Sequence, residues 1–244
     1  LSDTNLIAIK GTPEYASSIN EDSPTNRIIT SLYTKDRILF LLKYGICYKT
    51  TTNKDGITQI EKHIMRYPQM FATMAIRDKL REGIRKGVIW HTQGSGKTAL
   101  AYSNVRYLTD YFSREEGKIA KFYFIVDRLD LAEQAKSEFE ARGLNVKMIK
   151  DKKQFIDDIV NPGESNTSGK TTMTVLNIQK FSKESVTKPA DYNVNVQRVY
   201  FLDEAHRSYN PTGSFLANLM SSDRNAVMIA LTGTPLIGEG YNTK

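Results

Sequence analysis

Residues 88–98 constrain the fold more than any other part of the chain. Their sequence, VIWHTQGSGKT, places three apolar residues ahead of two glycines, and Lys97 and Thr98 then open a helical pattern. We expect a short buried strand, a tight turn and the first turn of a helix. Successive backbone N–H groups and the positive end of the helix dipole would then form a cradle for anionic oxygens. The same residues are also compatible with an ordinary strand-to-helix loop.

The spacing within this loop predicts a nucleoside triphosphate and Mg²⁺ as its ligands. In such a loop Lys97 reaches the β- and γ-phosphates, and the Thr98 hydroxyl binds Mg²⁺. One position departs from the general pattern, because His91 stands where a glycine is expected six residues before the lysine. The predicted nucleotide-binding residues of the loop are Gln93, Gly94, Ser95, Gly96, Lys97 and Thr98.

Downstream of the loop, short apolar segments alternate with helical patterns. The predicted strands are 87–90, 122–126, 146–149, 172–178, 199–202 and 227–231, and the clearest helices are 97–112 and 129–142. The strands are continuously apolar, as expected when both faces of a parallel sheet are covered. We therefore predict an α/β fold with a doubly wound parallel sheet, whose ligands bind beyond the carboxyl ends of the strands.

The beginning of the chain is less regular. One apolar helix candidate lies at 37–42, and a polar stretch at 50–56 is interpreted as a surface loop or linker. A helix is expected from about His63 to Lys86, with a break near Pro68. We divide the chain into an N-terminal segment, residues 1–62, and an α/β domain, residues 63–244. Residues 161–169 have the composition of a mobile surface loop.

The composition excludes some classes of protein but does not identify a function. The 244 residues carry a net charge of +7 and a pI near 9.3, which is compatible with nucleic-acid binding but also common without it. The single cysteine, Cys47, excludes a disulfide framework and favours a reducing cytoplasm. We find no membrane span or signal peptide, and the start at Leu1 suggests an internal piece of a longer polypeptide.

Two further strand ends carry candidate catalytic residues. Asp203 and Glu204 follow the strand 199–202, where Asp203 would hold Mg²⁺ through water and Glu204 would polarise the water that attacks the γ-phosphate. Two solvated acids at a strand end are the plainer alternative. Thr232 and Thr234 follow the strand 227–231 and could report the state of the γ-phosphate, or simply form a turn. We expect the loop and the two acids to converge on neighbouring strands.

These three elements, in this order, resemble the first RecA-like motor domain of superfamily 2 helicases and translocases. Residues 203–206 are the DEAH form of motif II, and residues 232–234 stand where motif III lies. More narrowly, the chain resembles the restriction (motor) subunit of type I restriction–modification enzymes, in which a histidine at the position of His91 is typical. The strings that carry this resemblance are 90–98 (WHTQGSGKT), 126–131 (VDRLDL), 177–181 (NIQKF), 203–208 (DEAHRS) and 231–236 (LTGTPL).

The resemblance implies a function and roles for individual residues. It implies an ATP- and Mg²⁺-dependent translocase of duplex DNA, part of a type I site-specific deoxyribonuclease with modification (methyltransferase) and specificity subunits as partners. The implied catalytic residues are Lys97, Asp203, Glu204 and His206, the last of which couples the nucleotide site to motif III. Residues 66–69 look like an adenine-reading motif in which Gln69 contacts the base edge. Arg128, Gln179 and Lys180 would contact the DNA backbone, although single cations are more often solvated surface charges.

The resemblance also implies parts that lie beyond these residues. Residues 1–62 would link the motor to an upstream nuclease domain, and a second RecA-like domain would supply an arginine finger, worth roughly 10³ to 10⁵ in turnover. We therefore expect the chain alone to be inactive or nearly so.

Two alternatives share these features. Another superfamily 2 enzyme, such as an RNA helicase or chromatin-type remodeller, would have the same nucleotide-binding residues, and only the narrower strings argue against it. A DNA-binding or subunit-docking module with a vestigial nucleotide site is the second alternative. The intact Lys97, Thr98, Asp203 and Glu204 argue against that module.

Overall fold

The computed structural model describes residues 34–92, 94–160, 171–178, 192–203 and 215–233. The strands are β1 (Ile46–Thr52), β2 (Thr58–Ile64), β3 (Lys86–Trp90), β4 (Ile119–Val126), β5 (Asn145–Ile149), β6 (Thr172–Asn177), β7 (Val196–Asp203) and β8 (Val227–Thr232). The helices are α1 (Lys35–Phe40), α2 (Tyr67–Arg81), α3 (Lys97–Glu115), α4 (Leu129–Ala141), α5 (Lys152–Val160) and α6 (Phe215–Ser222). A π-helical turn, Leu41–Gly45, continues α1.

Strands β3 to β8 form one parallel sheet in the order β3-β8-β7-β4-β6-β5. Residues of α2, α3 and α4 pack on one face of the sheet, and residues of α5 and α6 pack on the other. The predicted α/β fold with a doubly wound parallel sheet is confirmed, as are its six strands. No helix in these described ranges is long and apolar enough to cross a membrane.

The central strands explain why the apolar runs are continuous. In β4, Phe122 and Phe124 belong to the core on the α3 face, whereas Tyr123 and Ile125 belong to the core on the α5 face. Successive side chains of a strand point to opposite faces, so a strand covered on both faces needs apolar residues at every position.

Strand β3 corrects the prediction of a buried strand before the loop. It is an edge strand, and within the described residues it pairs only with β8. Val88 and Trp90 are 50% and 63% exposed, whereas Ile89 packs against the core. An apolar run of this length does not reveal whether a strand lies at the centre or the edge of its sheet.

The predicted helix over 63–86 is also corrected. Strand β2 continues to Ile64, and α2 begins at Tyr67 with Pro68 in its first turn. Proline is tolerated there because the first N–H groups of a helix have no intrahelical partner. Pro68 therefore marks the beginning of the helix rather than a break within it.

Residues 34–64 pack against the helices α3 and α4, and the predicted domain boundary after residue 62 stays a prediction. That boundary falls inside β2, which pairs with β1 in an antiparallel hairpin. Phe40 and Leu41 share a hydrophobic core with α3, and Arg106 of α3 donates hydrogen bonds to the backbone oxygens of Lys43 and Ile46. Of the stretch 50–56, predicted as a loop or linker, residues 50–52 are paired strand and residues 53–56 form the turn of the hairpin. The predicted loop at 161–169 lies outside the described residues.

A buried carboxylate joins α5 to the sheet. Asp158 accepts hydrogen bonds from Lys121 at 3.1 Å, Lys147 at 2.8 Å and Thr174 at 3.2 Å. Burial acts to raise the pKa of Asp158, but the ammonium groups of Lys121 and Lys147 together hold it below its usual value. Asp158 and Lys121 are only 2% and 3% exposed, so each charge depends on the other to remain in the core.

We expect Asp158→Asn to lower the free energy of unfolding by about 3 kcal/mol, because the Lys121 charge would stay buried without its anion. The exposed neighbour Asp157 provides the control, and Asp157→Asn should change stability by less than about 0.5 kcal/mol. Urea unfolding at neutral pH measures both effects. The gap between wild type and Asp158→Asn should shrink as the pH falls below about 4, where the unfolded carboxyl takes up its proton. Equal stability of the two variants at pH 7 would contradict the account.

Candidate nucleotide-binding site

The carboxyl ends of β3, β8 and β7 meet at one edge of the sheet. In the parallel register, Ile89 lies opposite Leu231, and Leu231 lies opposite Asp203. The residues that follow β3 form the glycine loop, so the loop and Asp203 leave the sheet on the same side. Glu204 lies outside the described residues, so the convergence of the loop with both acids stays a prediction.

One detail of that convergence is corrected. Strand β8 lies between β3 and β7, so the loop strand and the acid strand are not neighbours. Two strand spacings separate them, or about 10 Å between backbones. Chain order alone does not reveal that the last strand inserts between two earlier ones.

Asp203 lies on the face of the sheet that α3 covers. Val199 and Phe201 of β7 belong to the core on the α3 face, and the alternation of the strand puts Asp203 on that same face. The carboxylate and the first turn of α3 thus lie on one side of the sheet.

The glycine loop adopts a backbone that only glycine accommodates easily. Gly94 and Gly96 have φ angles of +76° and +83°, and the Ser95 N–H donates to the Thr92 carbonyl at 3.2 Å. Gly96 is the N-cap of the 19-residue α3 and has no side chain that could bond the first N–H groups of the helix. The helix beginning is therefore open to an external anion.

Two buried polar atoms beside the loop have no hydrogen-bond partner among the described residues, the Ser95 hydroxyl and His91 Nδ1. Burial, aided by the positive charge of Lys97, lowers the pKa of His91. The imidazole is therefore neutral at neutral pH and adds no charge to the loop. An unpaired hydroxyl at a glycine loop fits a ligand that carries acceptor oxygens, such as a phosphate.

Gln69 holds the glycine loop through its backbone carbonyls. Its Nε2 donates to the carbonyls of Ser95 at 3.3 Å and Gly96 at 3.1 Å, and its Oε1 accepts from the Arg66 N–H at 2.9 Å. A Cβ on Gly96 would come within 2.5 Å of this Nε2. The predicted contact between Gln69 and adenine stays a prediction. The sequence analysis does not predict the hydrogen bonds from Gln69 to the loop. The three-residue spacing between Arg66 and Gln69, which is that of a capping box, was a signal for the bond to the Arg66 N–H.

The ends of β3 and β8 are tied together beside the loop. The His91 N–H donates to the Thr232 carbonyl at 3.0 Å, and the Trp90 indole N–H donates to the Gly233 carbonyl at 3.1 Å. Thr232, predicted to couple the nucleotide site to other surfaces, is 2% exposed. A displacement of the glycine loop would act directly on the backbone of Thr232 and Gly233.

The remaining predicted residues divide into two groups. Arg128 lies at the surface at the beginning of α4, where its guanidinium donates two hydrogen bonds to Asp130 at 3.1 and 2.8 Å. Exposed pairs of this kind are weak, so a phosphate could replace Asp130. The residues that lie outside the described ranges are Gln93, Gln179, Lys180, Glu204, His206 and Thr234.

Comparison with known proteins assigns the chain to a family. A family model described as SWI2/SNF2 ATPase matches residues 68–244. The chain belongs to the SWI2/SNF2 ATPase family. This family member is similar to two curated proteins named as type I restriction enzyme endonuclease subunits. One, from Methanocaldococcus jannaschii, is 36% identical over 109 residues, or 43% of this chain. The other, from Staphylococcus saprophyticus, is 31% identical over 183 residues, or 73% of this chain.

The chain spans only 10% and 18% of the lengths of these two relatives. Among solved structures, this SWI2/SNF2 ATPase domain is similar to a nuclease-deletion mutant of the Type ISP restriction-modification enzyme LlaGI in complex with a DNA substrate mimic. The two are 14% identical, with a TM-score of 0.45, over 71% of this chain and 18% of that chain. The family match and the names of the curated relatives confirm the resemblance drawn from the sequence.

The two loop glycines should respond differently to alanine. Both substitutions place a Cβ on a left-handed backbone, at a cost of about 1–2 kcal/mol. Only Gly96→Ala also displaces the Gln69 amide, since nothing lies within 4 Å of a Cβ at Gly94. We expect Gly96→Ala to lose about 1 kcal/mol more than Gly94→Ala in urea unfolding. The difference should vanish in a Gln69→Ala background, and its persistence there would contradict the proposed contact.

The pKa of His91 provides a second test. The Lys97→Met variant should raise it, because burial remains while a nearby positive charge is lost. Added phosphate should also raise it in wild type if the anion binds the loop. NMR titration of the imidazole ring measures both shifts. Because the folded-state pKa is lowered, His91 should also reduce stability as the pH falls through about 6.5, where the unfolded chain takes up the proton. An unchanged titration in Lys97→Met would contradict the geometry.

Proposed function

We propose that this chain is the ATP-binding half of a motor that moves duplex DNA through a type I restriction enzyme subunit. The observation that supports this most strongly is the convergence of an open glycine loop, the beginning of α3 and Asp203 on one face at one sheet edge. The names of the relatives support the assignment to a restriction subunit.

The residues present fit ATP-Mg²⁺. The beginning of α3 has no side-chain cap, and the buried Ser95 hydroxyl has no hydrogen-bond partner among the described residues, so it could donate to a phosphate oxygen. Lys97 would bind the β- and γ-phosphates, while Thr98 and Asp203 would hold Mg²⁺. When bound, the ion would neutralise charge that develops on the transferred phosphoryl group.

The other predicted residues complete the proposal. Glu204 would orient and polarise the attacking water, and His206 with Thr232 and Thr234 would pass the state of the γ-phosphate to the rest of the protein. Arg128, Gln179 and Lys180 would bind the DNA backbone, which positions a strand without reading its sequence. The proposed partners are duplex DNA and the modification and specificity subunits of a cytoplasmic complex.

The parent protein would contribute the parts that these residues do not. A second motor domain would close on the nucleotide and supply an arginine, and a nuclease domain would cleave the DNA. We therefore expect the 244-residue chain to bind ATP but to hydrolyse it slowly. Brisk DNA-stimulated hydrolysis by this chain alone would contradict the division of the site.

Two substitutions in the parent protein test the motor. Lys97→Ala should weaken ATP binding and lower hydrolysis by about a hundredfold or more, because the phosphates lose their cation. Glu204→Gln should keep ATP binding and stop hydrolysis. Both should abolish displacement of a third strand annealed to duplex DNA ahead of the motor. Lys86→Ala, at the opposite end of β3, is the matched control and should leave all three readouts unchanged.

Particular outcomes would contradict the proposal. Normal translocation by Glu204→Gln would show that Glu204 does not orient the attacking water. Tight ATP binding by Lys97→Ala would show that the glycine loop does not bind the phosphates. Separation of strands in place of duplex translocation would favour a helicase. ATP binding without any turnover in the parent protein would favour a docking module with a vestigial site.

A further inference from the structure

Trp90 is a tryptophan that the fold keeps at its surface. It is the only tryptophan in the sequence, it ends the edge strand β3, and it is 63% exposed. Within the part of the chain that the structure describes, its ring belongs to neither hydrophobic core, although the preceding Ile89 packs against one of them. Large aromatic side chains normally stabilise a protein by being buried. Burial therefore does not explain why a tryptophan stands here.

The polar end of the indole makes a specific contact with the end of β8. Its Nε1–H donates to the Gly233 carbonyl at 3.1 Å. Trp90 lies opposite Thr232 in the parallel register, and β8 ends at Thr232. Gly233 is thus the first residue beyond β8. The indole extends the connection between the two strands past the last residue that the sheet itself pairs.

This contact is made from the face of the sheet that lies opposite α3. Ile89 packs against the core on the α3 face, and successive side chains of a strand alternate, so Trp90 projects from the other face. Asp203 lies on the α3 face. The indole therefore acts on the proposed nucleotide site through the backbone of β3 and β8, and not by contact with the groups on the α3 face.

The indole bond is the second of two adjacent connections between the strand ends. The His91 N–H donates to the Thr232 carbonyl at 3.0 Å, and the Trp90 indole takes the next carbonyl along the chain. Gly94, the first of the two left-handed loop glycines, follows His91 by only three residues. One bond would let the end of β8 pivot about a single carbonyl. Two bonds to consecutive carbonyls make it move with the strand that carries the loop.

We propose that Trp90 is a positioning residue for the end of β8, whose indole keeps Gly233 in a fixed position relative to the glycine loop, so that a movement of the loop during ATP turnover is passed to the segment beyond β8. The proposal rests on the ATP-driven motor proposed above. Loss of the indole bond should reduce the distance moved along DNA for each ATP rather than the affinity for ATP, because the bond holds the receiving segment and not the phosphates.

The indole N–H of Trp90 can be observed directly, because it gives the only tryptophan side-chain N–H signal of the 244-residue chain in NMR. We expect this N–H to exchange with water about tenfold or more slowly than in the unfolded chain, despite the exposed ring, because it is hydrogen-bonded. Inorganic tripolyphosphate with Mg²⁺ should shift the signal together with the amide signals of Gly94 and Gly96. Val88→Ala removes another exposed side chain from the same face of β3 and is the control, which should change neither result.

Translocation by the parent protein tests the coupling. Trp90→Phe keeps an aromatic ring but has no N–H to donate. It should leave the KM for ATP within about twofold and lower the number of base pairs moved per ATP by about threefold or more, the size expected for one neutral hydrogen bond. Benzothienylalanine at position 90, which has the shape of tryptophan without the N–H, should have the same effect. Val88→Ala should leave both quantities unchanged.

Several outcomes would overturn the proposal. One is an indole N–H that exchanges as fast as in the unfolded chain, and another is an indole signal that stays fixed while tripolyphosphate shifts the loop amides. A normal number of base pairs per ATP in the benzothienylalanine variant, or a raised KM with a normal number in Trp90→Phe, would do the same. If wild type bound neither tripolyphosphate nor ATP, the proposed function itself would fail. Binding with an unmoved indole signal would overturn this inference alone.

Discussion

The parallel register of β3, β8 and β7 is the constraint on which the rest of the site depends. It brings three strand ends to one edge, so that a glycine loop, a carboxylate and the backbone of Thr232 and Gly233 lie together. Strand β8 lies between the other two strands and pairs with both the loop strand β3 and the strand β7 that ends at Asp203.

The loop is preorganised by contacts that precede any ligand. Gln69 holds two loop carbonyls, and a buried polar chain through Thr73 and Asn104 holds Gln69. Gln69 bonds to the carbonyls of Ser95 and Gly96, so it does not occupy any N–H group of the loop. The loop is therefore held in its left-handed conformation at Gly94 and Gly96 by these contacts, which reduces the cost of ordering it on binding.

Much of this arrangement could be predicted from the sequence, and the exceptions have physical reasons. Central strands such as β4 and β7 were visible because burial on two faces demands apolar residues at every position. The hairpin was missed because strands such as Thr58–Ile64 are mostly exposed and rely on pairing rather than on an apolar pattern. The edge position of β3, the place of β8 and the role of Gln69 depend on contacts between distant segments. Local patterns do not report such contacts.

A crystal structure of the parent protein with a non-hydrolysable ATP analogue and Mn²⁺ tests the central claim most directly, because anomalous scattering locates the metal. The account predicts Mn²⁺ bonded to the Thr98 hydroxyl and to the phosphates, with the Asp203 carboxylate bound directly or through one water. A metal–nucleotide complex that contacted only one of these residues, with the other turned away from it, would contradict the convergence on which the site is built.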